Sequence, residues 1–452
     1  MRVLFASAEI FPYTKTGGLA DVAHALPLAL QHEMHISRVM PLYGFMDETA
    51  YRFFTSFTVT LAYQVYHVEV YSTEERGVKN YFIKAPHLSE TSHPYGDSRG
   101  DYRDNALRFG IFCMAIVALA LRLNSSLIHL NDWHTALVAL YVKQNALKIK
   151  TLYTIHNLAY QGIFEKENLA LLGIGWEYFT MDTLEFYGKL NLMKAGIAFS
   201  DTVTTVSPTY AQEILTPAYG CGLDGFLRLH QQKLYGILNG IDEVMFPPLK
   251  SRHQKREAKA LLSQRFGLPV SKRPLFVMVS RLVAQKGLPL LRECFEALLQ
   301  EEITLFIIGE GEVAYRTFFK AQAKRYAHFA FFKGYDEALS LQSYQASDFL
   351  LMPSVFEPCG LNQLIAMSQG SIPVVHRVGG LKDSVHETEA VCGQGISYET
   401  QTPQAFLFAI KRALLLYREK EKLEEKIAFN LACDFSFKKS AKAYVHLYKE
   451  LV

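Results

Sequence analysis

The chain has 452 residues, half of them hydrophobic, and a formal net charge of +3 at pH 7. Its 47 Lys and Arg residues are nearly balanced by 44 Asp and Glu residues, which argues against a nucleic-acid-binding protein that must neutralise many phosphates. The hydrophobic content excludes extensive disorder. Because single hydrophobic cores stop growing at roughly 250 to 300 residues, this length predicts two domains.

The six cysteines are widely scattered, without a C-x-x-C pair or a histidine at metal-ligand spacing. They are Cys113, Cys221, Cys294, Cys359, Cys392 and Cys433. From this spacing we expect all six to be reduced thiols.

Two apolar stretches raise the question of a membrane or a signal segment. Residues 109–121 are apolar almost throughout but fall short of the ~20 residues that a membrane span requires. Glu9 interrupts the N-terminal apolar run before it can act as a signal sequence. The sequence therefore favours a buried helix and a cytoplasmic protein that has no membrane partner.

A repeated pattern of apolar strand, polar loop and helix runs along the chain and predicts parallel sheets, with ligands bound beyond the carboxyl ends of the strands. In the first half, strands are predicted at residues 3–6, 127–130, 151–155, 203–207 and 234–238. Lys15 lies beside Gly17 and Gly18 at a predicted helix start. Glycine allows a ligand to approach closely and lysine can reach phosphate, although a simple surface turn has the same pattern.

Polar side chains follow several of the other strands in this half. These residues are Asp132, His156, Asn157 and Asn239. We expect side chains at successive strand ends to share one cleft, although a single histidine is more often a core residue than a catalytic one. The segment that begins at Tyr95 suits either a carbohydrate-facing loop or a plain exposed loop.

The chain changes character after Phe246, where two prolines precede a charge-rich stretch at residues 250–259 that we interpret as a linker. A second α/β pattern follows, with strands predicted at residues 275–280, 303–308, 329–332, 348–352 and 372–375. Arg281 and Lys286 share the loop after the first of these strands. Two cations so close together favour a bound anion, with a solvated basic loop as the alternative.

Glu357 lies in the loop after the fourth strand of this second pattern, directly before a predicted helix. The first amides of a helix lack internal partners, and the helix dipole places partial positive charge there. The amides of Gly360, Leu361 and Asn362 can therefore hold phosphate while the carboxylate binds a polar group. A capping carboxylate in an ordinary loop is the alternative.

Five motifs together resemble the bacterial glycogen synthases and plant starch synthases, and the resemblance spans essentially the whole sequence. They are K-T-G-G-L-A-D-V at residues 15–22, N-D-W-H at 131–134, T-I-H-N-L-A-Y-Q-G at 154–162, S-R-L with Q-K-G within 280–287, and E-P-C-G-L at 357–361. Few chains carry all five in this order, so the resemblance is specific.

This resemblance implies a GT-B architecture, in which two Rossmann-like α/β domains with parallel sheets face each other across a central cleft. It implies domains at residues 1–242 and 243–435, with a final helix at 436–452 that crosses back to the N-terminal domain. It also implies a retaining hexosyltransferase that moves glucose from ADP-glucose to an α-1,4-glucan such as glycogen, without a metal or another cofactor.

The resemblance assigns expected roles to individual residues. The expected catalytic residues are Glu357, His156, Asp132, Arg281 and Lys286. The expected nucleotide-sugar-binding residues are Lys15, Gly17, Gly18, Asn239, Tyr335, Cys359, Gly360, Leu361 and Asn362, with Tyr335 stacked on the adenine. Asp21, Tyr95 and Asn157 are expected to face the acceptor or the sugar.

The chain departs from the family pattern at three places. Asn362 stands where many relatives carry Thr, Phe246 stands where Trp is common, and the loop at 391–398 is shortened. Two other functions remain open: a glucan phosphorylase-like enzyme with a pyridoxal-phosphate lysine, and a catalytically inactive glycan-binding protein. The matched polar positions are all intact, which argues against the inactive protein.

Overall fold

The chain folds into two compact units. The computed structural model describes residues 1–269, 272–387 and 392–452. The first unit comprises Met1–Asn239 together with Phe437–Val452, and the second comprises Gly240–Ser436. Each unit is an α/β structure built on a mainly parallel sheet, as the alternating pattern of strands and helices predicts.

The first unit contains one large sheet and two small antiparallel sheets. Its strands are β1 (Arg2–Ala6), β2 (His35–Pro41), β3 (Arg52–Leu61), β4 (Gln64–Glu75), β5 (Val78–Lys84), β6 (Gly96–Asp97), β7 (Gly100–Asp101), β8 (Leu127–Asn131), β9 (Lys150–Ile155), β10 (Ile163–Phe164), β11 (Glu185–Phe186), β12 (Lys189–Asn191), β13 (Thr202–Thr205) and β14 (Leu234–Gly236). The large sheet has the order β14-β13-β9-β8-β1-β2-β5-β4-β3 and is parallel from β14 to β5. The strands β5, β4 and β3 pair in antiparallel fashion.

The strands predicted in this unit are confirmed, because their apolar runs fit strands that are buried on both faces. Every residue of β8 is buried, and so is every residue of β1 after Arg2. Four of the longer strands, β2, β3, β4 and β5, were not predicted from the sequence, and β3 and β4 carried a recognisable pattern. Their signal was the alternation of buried and exposed positions, as at Phe57, Val59 and Leu61.

Helices cover the large sheet of the first unit. They are α1 (Gly18–Leu30), α2 (Asn105–Arg122), α3 (Leu137–Gln144), α4 (Asn168–Leu171), α5 (Leu192–Phe199), α6 (Pro208–Glu213) and α7 (Asp224–Leu229). By length and composition α2 alone, among the described helices, could cross a membrane, with a mean hydropathy of 1.6, but 72% of it is buried within the fold. We interpret α2 as the buried core helix that the sequence predicts for residues 109–121.

The second unit contains a six-stranded parallel sheet. Its strands are β15 (Leu275–Val279), β16 (Thr304–Gly309), β17 (Phe329–Lys333), β18 (Phe349–Met352), β19 (Ile372–His376) and β20 (Ile396–Tyr398), in the order β17-β16-β15-β18-β19-β20. The described helices are α8 (Arg252–Arg265), α9 (Leu288–Glu293), α10 (Phe295–Gln300), α11 (Val313–Arg325), α12 (Glu337–Ala346), α13 (Asn362–Ser368), α14 (Gly379–Ser384), α15 (Pro403–Arg418) and α16 (Lys420–Leu431). Most predicted strands agree with these bounds within one residue.

The interpretation of residues 250–259 as a linker is wrong, because most of this stretch lies in α8. Its charges are used inside the second unit: Lys255 donates to the carbonyl of Ser347, and Lys259 lies 2.7 Å from Asp348. Ala258 and Leu262, one turn apart, face the core. The many charged residues of this stretch made its amphipathic helical pattern hard to recognise in the sequence.

The expectation of six reduced thiols is wrong for two of them, because Cys392 and Cys433 form a disulfide. Their Cα atoms lie 5.7 Å apart although 41 residues separate them in sequence, so spacing alone gives no sign of the pair. The other four cysteines are free. The loop predicted to be shortened begins at Val391, which lies outside the described residues.

The last helix, α17 (Lys438–Leu451), packs into the core of the first unit. Its Tyr448 hydroxyl lies 2.5 Å from Nδ1 of the buried His129 on β8. Its Ser440 hydroxyl donates to the carbonyl oxygen of Leu238. The final residues therefore complete the unit with which the chain begins.

Candidate active site

The loop after β1 brings Lys15 next to Asp21 in the first turn of α1. The Lys15 Nζ lies 2.7 Å from the Asp21 Oδ1, and each side chain is 18% exposed. Gly17 precedes α1 in an extended conformation, with φ of −162° and without a side-chain cap. A Cβ at Gly17 would meet no atom within 4 Å, so packing within the fold does not require glycine there.

A buried carboxylate, Glu9, holds this loop in place. Glu9 is 3% exposed and accepts hydrogen bonds from the backbone amide of Thr16 at 2.5 Å and from the Thr16 hydroxyl at 2.6 Å. It also accepts one from the Tyr95 hydroxyl at 2.5 Å. Sequence reasoning missed this role of Glu9. The sequence offered one sign of it, because Glu9 is an acidic residue in the mainly apolar segment that follows β1.

Asp132 and His156 meet at the ends of the neighbouring strands β8 and β9. The Asp132 Oδ1 accepts a hydrogen bond from the backbone amide of His156 at 2.8 Å. Asp132 has φ of +56° and ψ of 179°, a backbone conformation that costs a residue with a side chain roughly 1–3 kcal/mol. Strain of this kind persists where the surrounding structure fixes a side chain in one direction.

The hydrogen bonds around His156 define its tautomer. The Asn131 side chain donates its Nδ2 to the carbonyl of Ala6 at 2.9 Å, so its Oδ1 is turned toward His156. The His156 Nε2 lies 2.8 Å from that Oδ1 and must therefore donate its proton. The Nδ1 of His156 is left with the lone pair and can accept a hydrogen bond.

Burial shifts the pKa values of His156 and Asp132 in opposite directions. Desolvation lowers the pKa of His156 to about 3, so the imidazole is neutral near pH 7. Desolvation raises the pKa of Asp132 to about 7, against the backbone amides of His156 and Asn157, which lower it. Asp132 is therefore close to half-protonated at neutral pH.

In the second unit, Lys286 and Glu357 form an ion pair between two strand-end loops. The Lys286 Nζ lies 2.6 Å from the Glu357 Oε2, with the side chains 17% and 7% exposed. The Ser354 hydroxyl donates to the same oxygen at 2.9 Å. The carboxylate is thus held by a cation and a hydroxyl that come from different parts of the unit.

Glycines allow these loops to approach each other closely. Gly287 has φ of +75°, and a Cβ at this position would lie 1.8 Å from the Pro353 carbonyl oxygen. Gly380, near the start of α14, donates its backbone amide to the Glu357 carbonyl at 3.0 Å. No larger residue could keep the Lys286 loop against the end of β18.

Comparison with known proteins finds matches to both units. The model of the starch synthase catalytic domain matches residues 2–229, and the model of glycosyl transferases group 1 matches residues 263–428. A glycogen synthase from an Anaeromyxobacter species is 39% identical over 475 residues, covering all of this chain and 99% of the relative. A glycogen synthase from Aquifex aeolicus is 39% identical over 467 residues, with coverage of 100% and 99%.

The chain belongs to the glycogen and starch synthase family. Among solved structures, this family member resembles the catalytic domain of starch synthase IV from Arabidopsis thaliana bound to ADP and acarbose, with 33% identity, a TM-score of 0.90 and coverage of 99% of this chain and 98% of the other. A sucrose-phosphate synthase from Thermosynechococcus elongatus is 18% identical with a TM-score of 0.67 and coverage of 100% and 98%, which shows the fold alone. The fold is GT-B, and the protein is a hexosyltransferase.

Other predicted site residues of this synthase lie close to strand ends or at a helix start. In the first unit, Asn157 turns its Oδ1 back to the amide of Ala159, and Asn239 keeps a buried Oδ1 without a hydrogen-bond partner among the described residues. In the second unit, Asn362 donates to the carbonyl of Val279 at 2.6 Å. Gln363, directly after it, donates to the carbonyls of Cys359 and Gly360.

Arg281 and Tyr335 are the predicted residues that extend furthest into solvent in the second unit. Arg281 is exposed, and Tyr335 exposes 61% of its surface, which leaves its ring accessible for stacking. Within residues 1–269, 272–387 and 392–452, no group of three or more His, Cys, Asp or Glu side chains is arranged to hold a metal ion.

Proposed function

We propose that this synthase transfers glucose from ADP-glucose to the non-reducing end of an α-1,4-glucan, with retention at the anomeric carbon and without a metal. The observation that carries the proposal is full-length similarity to glycogen synthases, combined with a lysine–carboxylate pair at the strand ends of each unit. The Arabidopsis relative was solved with ADP and acarbose, which supports a nucleoside diphosphate and a glucan as ligands.

The lysines supply the chemistry that a departing diphosphate needs. As the bond between glucose and ADP breaks, negative charge builds on the diphosphate, and fixed cations stabilise it. Lys286 and Arg281 act in the second unit, and Lys15 provides a cation from the first. Each lysine has a carboxylate partner that holds its ammonium group in place until phosphate replaces it.

The remaining polar groups position the sugar. Neutral His156 offers its Nδ1 lone pair to a sugar hydroxyl, while its Nε2–H donates a hydrogen bond to the Asn131 Oδ1. Glu357 binds sugar hydroxyls and stabilises positive charge on the reacting carbon. We assign it no covalent role, because its loop lacks a second carboxylate at the spacing that retaining glycosidases use.

A donor panel with glycogen as acceptor tests the proposal. The purified protein is incubated with ADP-glucose, UDP-glucose and other sugar nucleotides, and release of nucleoside diphosphate is measured together with incorporation of glucose into glycogen. We expect ADP-glucose to be used best, with one ADP released for each glucose transferred. Absence of transfer from every donor, or dependence on pyridoxal phosphate and inorganic phosphate, would reject the proposal.

A further inference from the structure

Glu9 joins two separate loops of the first unit. Its Oε2 accepts from the Thr16 amide, and its Oε1 accepts from both the Thr16 hydroxyl and the Tyr95 hydroxyl. Thr16 lies between Lys15 and Gly17, within the segment that carries the proposed diphosphate contacts. One buried carboxylate therefore connects the Lys15 loop to the segment around Tyr95.

The support beneath Glu9 is itself rigid. The Ser7 hydroxyl donates to the Glu9 carbonyl at 2.7 Å, and the buried Tyr43 donates its hydroxyl to the Ala8 carbonyl at 2.9 Å. The Tyr95 ring stacks on His134, with centroids 4.6 Å apart. The backbone around Glu9 and the ring that reaches it are thus both fixed.

We propose that Glu9 is the positioning residue of the diphosphate loop. Its carboxylate fixes the main chain at Thr16, and thereby sets the direction in which Lys15 and the amides at Gly17 and Gly18 face the substrate. This inference rests on the proposed function and deepens it, because it names the group that organises the donor contacts of the first unit.

The placement of the charge supports this role. A buried carboxylate close to an anion-binding loop opposes anion binding, so it is unfavourable there unless it does something else. Here three donors satisfy it, and hydrogen bonds to an ionised acceptor are stronger than neutral ones. Two successive glycines make the loop flexible, and without an anchor the loop must lose that freedom each time a donor binds.

Substituting Glu9 with Gln separates positioning from simple structural support. Gln keeps an acceptor oxygen for the two hydroxyls but turns an amide group toward the Thr16 N–H. We expect the KM for ADP-glucose to rise about ten- to a hundred-fold and the KM for glycogen to stay within about two-fold. The thermal midpoint should fall by a few degrees, because the buried Thr16 amide loses its acceptor. Glu9→Asp, which keeps the charge, should recover part of the loss.

A double-mutant cycle with Lys15→Ala tests whether Glu9 acts through that loop. If it does, adding Glu9→Gln to Lys15→Ala will cost much less than Glu9→Gln costs in the wild type. Asp201→Asn is the matched control, because Asp201 likewise accepts from the amide and the hydroxyl of one threonine, Thr151, at the start of β9 and thus at the end of that strand opposite His156. That control should lower stability and leave both KM values unchanged.

Three outcomes decide the inference. Additive effects in the cycle, equal rises in both KM values, or a fall in thermal midpoint as the only effect would each overturn it. Wild-type turnover tests the proposed function separately. If the wild type does not turn over, ADP binding by calorimetry still decides the role of Glu9, since Glu9→Gln must weaken ADP binding about ten-fold or more and Asp201→Asn must not.

Discussion

Asp132 in the first unit and Glu357 in the second are buried carboxylates that follow central strands, and they are satisfied in different ways. Glu357 is 5% exposed and pairs with the ammonium of Lys286. Asp132 is 8% exposed and accepts from backbone amides, with a strained backbone of its own. A cation partner compensates the charge of Glu357, whereas amide dipoles compensate that of Asp132 only in part.

The difference separates a buried carboxylate with a cation beside it from one without a cation. Burial without a cation raises the pKa of Asp132 to about 7, so its charge changes across the physiological range. The second unit instead places the Lys286 ammonium beside the Glu357 carboxylate. The two units thus hold their strand-end carboxylates in different electrostatic surroundings. Three substitutions test that contrast, and a fourth tests the Lys15 loop.

Lys286→Ala should have the largest effect. It removes a cation from the leaving diphosphate, which we expect to lower kcat by about two to three orders of magnitude. It also leaves Glu357 buried without its partner, at a cost of roughly 3 kcal/mol or more in the free energy of unfolding. Steady-state kinetics at saturating donor and urea unfolding measure the two losses.

The double variant Lys286→Ala with Glu357→Gln is the control for this prediction. It should recover much of the stability, because the unpaired charge is gone, and none of the turnover. Recovery of turnover, or a single variant as stable as the wild type, would contradict the view of Glu357 as a compensated buried charge.

Asp132→Asn should change how stability depends on pH. In the wild type the folded carboxyl keeps its proton up to about pH 7, whereas the unfolded one loses it near 3.8, so this group's contribution to stability falls between those values. That rise in pKa corresponds to about 4 kcal/mol. Asparagine does not ionise, so the variant does not lose this stability. Its free energy of unfolding should therefore increase relative to that of the wild type as the pH rises from 4 to 8.

Chemical denaturation at several pH values measures this second effect. Asn retains the oxygen that accepts from the His156 amide, so the comparison isolates the charge. A stability difference between variant and wild type that stays constant from pH 4 to 8 would show that Asp132 is not the titrating carboxylate.

Glu357→Gln should reduce turnover by about ten- to a hundred-fold and retain measurable activity, because a carboxamide still binds sugar hydroxyls. No glycosyl adduct should form on the wild-type residue with a slow donor. Mass spectrometry of the quenched enzyme checks this directly. A covalent sugar on Glu357 would reverse its assignment from charge stabilisation to nucleophile.

Gly17→Ala should have the smallest effect on folding. The backbone of Gly17 is extended and open space surrounds its Cα, so the free energy of unfolding should change by less than about 0.5 kcal/mol. Turnover should nevertheless fall, since a methyl group blocks close approach of the diphosphate. Gly287→Ala is the matched contrast: its positive φ and its contact with Pro353 predict poor folding. If Gly17→Ala has the kinetics of the wild type, the Lys15 loop is not a phosphate site.

Much of this architecture follows from the sequence because parallel strands buried on both faces require continuous apolar runs. The runs that became β1 and β18 are apolar on both faces after Arg2, and β8 is interrupted only by the buried His129 and Asn131. The residues that follow such buried strands must lie at the sheet edge. The positions of Asp132 and Glu357 on strand-end loops were predictable for this reason alone.

Other features depend on contacts that no local pattern contains. The α8 lysines looked like a solvated charge run because their partners, Ser347 and Asp348, come from about 90 residues further along the chain. The pairing of Cys392 with Cys433 depends on tertiary packing in the same way. In the sequence, Glu9 only interrupts an apolar run. The three groups that donate to it belong to Thr16 and Tyr95, so no local pattern reveals its role.

The return of α17 to the first unit has a consequence for synthesis of the chain. The second unit is continuous, from Gly240 to Ser436, and can fold as soon as it has left the ribosome. The first unit cannot, because Tyr444 and Tyr448 fill its core and are translated only after the whole of the second unit. The half of the protein that is translated first is therefore the half that finishes folding last.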